Sequence, residues 1–387
     1  MLDDRPTEAT GRRKGGLPVG LVMAARLAVL GGIGAFAAGA LSGHKQATWT
    51  VLLVNYLYFV GLAQGGVTWA AVLDLAKARW SDPVRRLGEA CAAFLPISFI
   101  PAVALFFGRR WILPWIGEDM GDRAGWMNVP ALFARNAIGL VLLTVLSLVY
   151  VSRSRRARAS GEDPERAHRR TAALSVAIPI AYAVVFSVLA FDFVMGLRPF
   201  WHSTLIGPYF FCGALYCAMA CLALGAAVLG RAADSPWRLA LQQRLDVGNL
   251  LLAFGMLTTY MFFAHLLVIW YANLPDETGF LIARYHHPPW FMLTWIVIGG
   301  AFLAPFALLI VREVKASPRL LACVAGLVLI AMWLERYLLV APSLMPEHPH
   351  SGAAEVFATL GFAGAFVLAV DWSLRRAEAA GSADAAA

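Results

Sequence analysis

Residues 48–73 read TWTVLLVNYLYFVGLAQGGVTWAAVL, a run of 26 residues without Asp, Glu, Lys or Arg. A helix needs about 20 apolar residues to cross the roughly 30 Å hydrocarbon core of a membrane. The run also lacks the alternation of apolar and polar residues that is typical of a membrane barrel strand. We therefore interpret it as a transmembrane helix.

Similar runs recur along the whole chain. Ten are predicted, at residues 19–41, 48–73, 87–107, 131–152, 172–195, 205–230, 247–272, 290–311, 319–341 and 353–374. Hydrophobic residues make up 60% of the chain and charged residues 14%, against about 45–50% and 25% in soluble domains. This composition excludes a soluble enzyme, a nucleic-acid binder and a disordered protein. The predicted fold is an all-α integral membrane protein in a lipid bilayer.

The positive charges predict an orientation. Connecting segments on the side of the two termini contain 23 Lys and Arg residues, and those on the opposite side contain six. Cytoplasmic loops are enriched in Lys and Arg, so residues 1–18 and 375–387 are predicted to be cytoplasmic tails of a membrane domain at 19–374. The first apolar run follows basic residues, as in a signal peptide, but is too long for one. We predict an uncleaved first helix.

A faint internal repeat predicts how the helices are grouped. The chain passes through an aromatic-Leu-Pro stretch at Trp111 to Pro114 and again at Trp270 to Pro275, and each stretch is followed by a pair of acids in the outer segment 108–130 or 273–289. The likeness predicts two four-helix bundles, at 48–195 and 205–341, with the first and tenth helices outside them.

The cysteines and histidines limit the cofactors. The five cysteines lie inside predicted spans and form no CxxC motif, which excludes an iron–sulfur cluster and a c-type haem. Two haems need paired histidines at matching depths, and only His265 lies well inside a span. A single haem between His202 and His265 remains an alternative. We otherwise expect no covalently bound or metal cofactor.

Ionisable residues inside the spans are the main functional candidates. Such a group costs roughly 2.5–3.5 kcal/mol at a helix centre. Four occur in the outer halves of the predicted spans: Arg135, Asp192, Glu335 and Arg336. They indicate either a proton relay or quinone pocket, or acids that only neutralise arginines between helices. Inner acids such as Asp74 stand at helix ends, where a carboxylate costs little and carries no prediction.

Two stretches carry a family resemblance. Residues 191–204 read FDFVMGLRPFWHST and residues 269–278 read IWYANLPDET. The first resembles the signature Asp-Trp-x-Met-Ser-Leu-x-Pro-His-Trp-x-Ser-Thr of the F-type membrane subunits of alternative complex III, a bacterial quinol:cytochrome c oxidoreductase. The second resembles their segment Ile-Trp-Tyr-Ala-Asn-Ile-Pro-Glu-Glu-Thr. These subunits are themselves similar to the NrfD-like membrane subunits of polysulfide reductase. The chain departs from the signatures at several positions, with Phe193 for Trp, Gly196 for Ser, Phe200 for His and His265 for Gln.

The resemblance implies a place in a respiratory complex of the bacterial inner membrane. Implied partners are a sister ten-helix quinol-binding subunit, an iron–sulfur subunit and c-type cytochromes. The chain itself is then expected to lack redox centres and to contribute a proton path and a quinone pocket.

Specific residues are candidates for the proton path and for the quinone pocket. The predicted proton path consists of Gln64, Arg135, Asp192, His202, Tyr260, His265, Asp276, Glu277, Glu335 and Arg336. The predicted quinone-binding residues are Asp192, His202 and His265. Polar residues such as Gln64 and Tyr260 also bond helices together, so packing remains an alternative for them. The competing functions are a structural anchor of a quinol or molybdenum oxidoreductase and a secondary transporter, for which broken helices in both halves are expected.

Overall fold

Ten helices among the described residues are long and apolar enough to cross a membrane. The computed structural model describes residues 16–161, 163–232, 235–285, 288–346 and 352–384. We label the ten helices in chain order: α1 Val19–Leu41, α2 Lys45–Leu75, α3 Asp82–Phe107, α4 Val129–Ala159, α5 Pro164–Phe193, α6 Ile206–Leu229, α7 Leu241–Ala272, α8 Trp290–Ile310, α9 Pro318–Leu344 and α10 Ala353–Asp384. The prediction of an all-α, multi-pass membrane protein is confirmed.

Because the number of crossings is even, the start of α1 and the end of α10 lie on the same side of the membrane. We call this the inner side and the opposite one the outer side. Most of the predicted N-terminal tail, residues 1–15, lies outside the described residues, as do residues 385–387. α10 continues to Asp384, ten residues beyond the predicted span, so much of the predicted C-terminal tail is helical. Arg375 Nε donates to Asp371 at 2.7 Å within this helix.

The helices form the two predicted groups. The first bundle consists of α2 to α5 and the second of α6 to α9, and α2 packs against α5, α6 and α9 at the centre of the molecule. α1 and α10 pair with each other beside α2 and α3. A Cβ atom at Gly32 of α1 would lie 2.6 Å from Gly361 Cα of α10, so this close pairing requires small residues at the crossing.

Prolines interrupt two of the helices. α3 is divided into Asp82–Cys91 and Phe99–Phe107 by a turn that contains Pro96. In α8 a π-helical turn, Ile298–Leu303, precedes Pro305. A proline cannot donate to the carbonyl four residues earlier, which here belongs to Ala301. Tyr216 of α6 donates its hydroxyl to that carbonyl at 3.0 Å, so the side chain replaces the missing backbone hydrogen bond.

Candidate functional site

A buried ion pair lies near the outer end of the first bundle. Asp192 of α5 is 1% exposed, and its carboxylate accepts hydrogen bonds from Arg135 Nε at 2.7 Å and from a second guanidinium nitrogen. Asn136 Nδ2 donates to the same carboxylate at 2.5 Å. Arg135 also lies 4.0 Å from the ring of Trp126. The two-point contact is the strong form of an arginine–carboxylate pair, and it selects one of the acid–arginine pairings that the sequence left open.

An aromatic cavity of about 210 Å³ lies beside this pair, between α2, α3, α4 and α5. Its wall includes Tyr56, Phe106, Phe133 and Phe193, together with Asn136. The buried Oδ1 atom of Asn136 has no hydrogen-bond partner among the described residues. An apolar pocket with one unsatisfied polar atom has the composition of a small-molecule site.

Two further carboxylates are buried at the inner end of the same bundle. Asp74 of α2 accepts hydrogen bonds from Thr171 Oγ1 at 2.7 Å and Ser175 Oγ at 2.8 Å, both on α5. Glu89 of α3 accepts from Ser154 Oγ at 2.7 Å and forms an ion pair with Arg158, both on α4. The sequence alone assigns no role to either acid. A carboxylate near the end of a membrane helix costs little free energy, whichever way its side chain points.

Polar side chains also occupy the interior between these two ends. Ser147 Oγ donates to Gln64 Oε1 at 3.2 Å, and Tyr150 donates its hydroxyl to a carbonyl of α2 at 3.0 Å. Three buried atoms have no partner among the described residues: Gln64 Nε2, Thr68 Oγ1 and Thr144 Oγ1. A buried polar group without a partner costs about 1–3 kcal/mol, so such groups normally bind buried water.

We call these side chains the polar column. From the inner to the outer end it comprises Asp74, Glu89, Ser154, Tyr150, Thr68, Ser147, Gln64, Thr144, Asn136 and Asp192, all of them buried. Its members on α4 extend from Ser154 to Asn136, which is about 27 Å at 1.5 Å per residue. The hydrocarbon core of a membrane is about 30 Å thick. The column therefore reaches across most of the membrane.

The second bundle has an ion pair near its outer end. Glu335 and Arg336, both 2% exposed, are adjacent on α9, with Arg336 Nη1 3.1 Å from Glu335 Oε2. Tyr209 donates its hydroxyl to Glu335 Oε1 at 2.5 Å. Arg336 also donates to the carbonyl of Phe210 at 2.9 Å. Each of the two buried charges thus has a second partner on α6.

A small cavity of about 50 Å³ adjoins this second pair, and His265 and Arg284 line it. His265 Nδ1 lies 3.2 Å from Ser203 Oγ, and its Nε2 atom has no hydrogen-bond partner among the described residues. Arg284 Nε donates to the carbonyl of Leu338 at 3.0 Å, a carbonyl that Pro342 leaves without its helical partner. Burial lowers the pKa of the Arg284 guanidinium. This cavity is large enough for one or a few water molecules.

The first stretch that carries the sequence resemblance contacts the residues that directly follow the second stretch. Trp201, in the first stretch, stacks on Phe280, just after the second, with ring centroids 3.7 Å apart. Arg198 donates to the carbonyl of Gly279 at 3.3 Å. These contacts join the first stretch to the short outer helix Pro275–Tyr285.

A comparison with protein-family models decides the family. Residues 40–346 match the model described as "Polysulphide reductase, NrfD". The chain belongs to this family. The match covers α2 to α9, and therefore both NrfD-family bundles and both ion pairs. A search of curated proteins found no match to the chain.

The remaining predicted residues lie apart from the two ion pairs of this NrfD-family chain. His202 is exposed on the outer side, and Tyr260 is 62% exposed on the outward face of α7. Asp276 and Glu277 stand at the start of a short outer helix, Pro275–Tyr285. Among the described residues, no three potential metal ligands of the His, Cys, Asp or Glu type come together.

Proposed function

We propose that this NrfD-family chain is the membrane subunit of a quinol:cytochrome c oxidoreductase of the alternative complex III type, and that its first bundle carries protons. Family membership supports the class of membrane oxidoreductase subunit. The resemblance of residues 191–204 and 269–278 supports the narrower assignment. The proposed location is the bacterial inner membrane, with both termini in the cytoplasm, as the excess of Lys and Arg on the inner side favours.

The polar column is the observation that carries the proton path. It has buried carboxylates near both ends, Asp74 and Glu89 on the inner side and Asp192 on the outer side. Between them stand hydroxyl and amide groups with unsatisfied atoms. Such atoms bind water when there is room for it, and a chain of waters and hydroxyls transfers protons. A column built only for packing would pair its own polar atoms.

The ion pairs at the ends would control the protons. Ionic contacts to Arg135 favour the charged form of Asp192, whereas burial favours the neutral form. A carboxylate held between these opposing effects can take up or release a proton when a nearby charge changes. Asp74 at the other end accepts two hydroxyl hydrogen bonds and pairs with Arg85 at 3.2 Å.

The aromatic cavity is the proposed quinone pocket. Its aromatic walls suit a flat ring, and Asn136 offers a buried amide group at the wall. A bound quinol supplies two electrons and two protons when it is oxidised. Asn136 Oδ1 would accept a hydrogen bond from a quinol hydroxyl, and Asp192, which accepts from Asn136 Nδ2, would take up the two protons one at a time and pass each into the polar column. Electrons would leave to the proposed partners: a sister ten-helix subunit, an iron–sulfur subunit and c-type cytochromes.

A structural anchor for a quinol or molybdenum oxidoreductase is the second candidate. It is favoured by the contacts of Arg284, which satisfies carbonyls next to Pro342, and of Arg336, which bonds Phe210. These arginines stabilise helix packing without any chemistry. A transporter is less favoured, because the breaks in α3 and α8 do not occupy equivalent positions in the two bundles.

Gentle purification from native membranes tests the assignment of the complex. We expect multihaem and monohaem cytochromes c, a large iron–sulfur subunit and a second ten-helix subunit to co-purify. Mass spectrometry and haem absorbance would identify them. Co-purification with a molybdenum enzyme would move the chain to the anchor class, and isolation of the chain alone would contradict both.

The variant Asp192→Asn tests the proton path. It keeps the shape of the side chain but cannot hold a charge, so we expect normal assembly, fewer protons translocated per electron and turnover lowered by about 10²-fold. Asp371→Asn is the matched control, because Asp371 is buried and paired with Arg375 but lies on α10, outside both bundles. Unchanged proton translocation in Asp192→Asn would refute the role of this residue.

A further inference from the structure

A large basic cavity opens at the inner end of the second bundle, far from both ion pairs. It has a volume of about 880 Å³ and lies between the end of α6, the segment that follows it and the starts of α7 and α9. Four arginines line it: Arg231, Arg238, Arg244 and Arg319. None of the described residues that line the cavity is acidic. Four positive charges around one space repel one another, so the cavity favours an anionic occupant.

One of these arginines is held in place by the backbone. Arg244 Nη1 donates to the carbonyl of Leu239 at 2.6 Å and Arg244 Nε to that of Ala316 at 2.7 Å. A guanidinium group has five donor hydrogens, so Arg244 keeps donors for a further acceptor. Arg231 and Arg319 are exposed. The cavity thus combines an oriented guanidinium with two exposed ones.

Two helix starts add to the positive potential. α7 begins at Leu241 and α9 at Pro318, next to the lining residues. They are 32 and 27 residues long, and the N-terminus of a helix carries a partial positive charge that favours anions.

The rest of the wall is apolar and belongs to the membrane-spanning parts of α6 and α9. It includes Ala223, Leu224, Val228 and Leu321. A free phosphate ion needs neither this apolar wall nor this volume. A phospholipid matches both parts, because its headgroup lies at the membrane surface and its acyl chains lie along the helices. Basic pockets between transmembrane helices on the cytoplasmic side recognise acidic lipid headgroups.

We propose that this cavity binds an anionic phospholipid. Arg231, Arg244 and Arg319 hold its phosphate, and its acyl chains lie along α6 and α9. The bound lipid joins the end of α6 to the starts of α7 and α9, and so stabilises the inner end of the second bundle. The proposal does not depend on the redox partner of the chain.

Lipid titration of the full chain in a nonionic detergent tests the proposal. Native mass spectrometry would count bound phosphatidylglycerol, phosphatidylcholine or inorganic phosphate. We expect phosphatidylglycerol to remain bound and to raise the unfolding temperature, and phosphatidylcholine to do neither. The double variant Arg231→Gln with Arg319→Gln should bind phosphatidylglycerol about 25-fold more weakly, at about fivefold for each arginine. Inorganic phosphate that displaces the lipid at equal concentration would overturn the proposal.

A matched control separates the cavity from general surface charge. Arg169 and Arg312 are exposed on the inner side but do not line the cavity. The double variant Arg169→Gln with Arg312→Gln removes the same charge and should keep the affinity of the unaltered chain. Equal losses of affinity in the two double variants would refute a specific site. Cys323 lines the cavity and is exposed, so bound phosphatidylglycerol should also slow its alkylation.

Discussion

The first bundle has buried carboxylates near both of its ends. In the described part of the second bundle, the only buried carboxylate is Glu335, which lies near the outer end. The hydroxyl groups differ in the same way. Thr68 and Thr144 in the first bundle have no partners for their Oγ1 atoms in the part of the chain that the structure describes. Thr258 and Thr259 in the second donate at 2.7 Å to carbonyls of their own helix. The first bundle therefore contains hydroxyl groups that can bind water, whereas these two threonines of the second bundle are satisfied by their own helix.

The two outer ion pairs also differ between the bundles. Substitutions in them should have the largest effect on the free energy of unfolding. Glu335 and Arg336 are almost fully buried, whereas the side chain of Arg135 is 22% exposed. Removal of one partner from a buried pair costs about 3–5 kcal/mol. We expect Glu335→Leu to lose this much unfolding free energy in mixed detergent micelles, and Asp192→Leu to lose less because water reaches Arg135. Equal losses would contradict the comparison, and Glu335→Leu with Arg336→Leu should recover most of the stability.

The aromatic cavity gives the next prediction. Asn136→Leu removes the polar group from its wall, and we expect the KM for quinol to rise by about tenfold, the value of one good hydrogen bond. Steady-state kinetics of the purified complex would measure it. Asn55→Leu is the control, because Asn55 is a buried amide on α2 that bonds Thr359 and Trp333 instead. A rise in KM in both variants would indicate a general packing defect.

Single hydroxyl groups give the smallest effects. Tyr216→Phe leaves the carbonyl of Ala301 without a partner, so we expect a loss of about 1–3 kcal/mol of unfolding free energy. Thr68→Val removes a hydroxyl group that has no partner among the described residues, so its effect on stability should be near zero. A large loss in Thr68→Val would show that its hydroxyl group has a structural partner.

The sequence predicts the membrane architecture well because the signals are one-dimensional. Run length gives the ten helices, and the faint repeat gives the two bundles. The sequence also identifies Asp192 and Arg135 as ionisable residues in the outer halves of their spans, but it leaves open which arginine each acid pairs with. These predictions need no knowledge of which face of a helix points inward.

The sequence does not predict the rotation of each helix about its own axis. A membrane helix is apolar on its core face and on its lipid face, so the pattern cannot distinguish Tyr260, which is exposed, from Gln64, which is buried. For the same reason the sequence does not distinguish Asp74, which is buried and bonded to α5, from an ordinary acid at a helix end. Arg284 had a signal that could have found it, since Pro342 frees the carbonyl of Leu338 that it binds.

The most direct test of the central claim compares hydroxyl groups in the two bundles. We would measure protons translocated per electron by the purified complex in sealed vesicles, for Thr68→Val with Thr144→Val and for Thr258→Val with Thr259→Val. The polar column predicts that the first pair lowers the ratio while assembly and stability stay normal, and that the second pair leaves it unchanged. An unchanged ratio in the first pair, or an equal fall in both, would contradict a proton path through the first bundle.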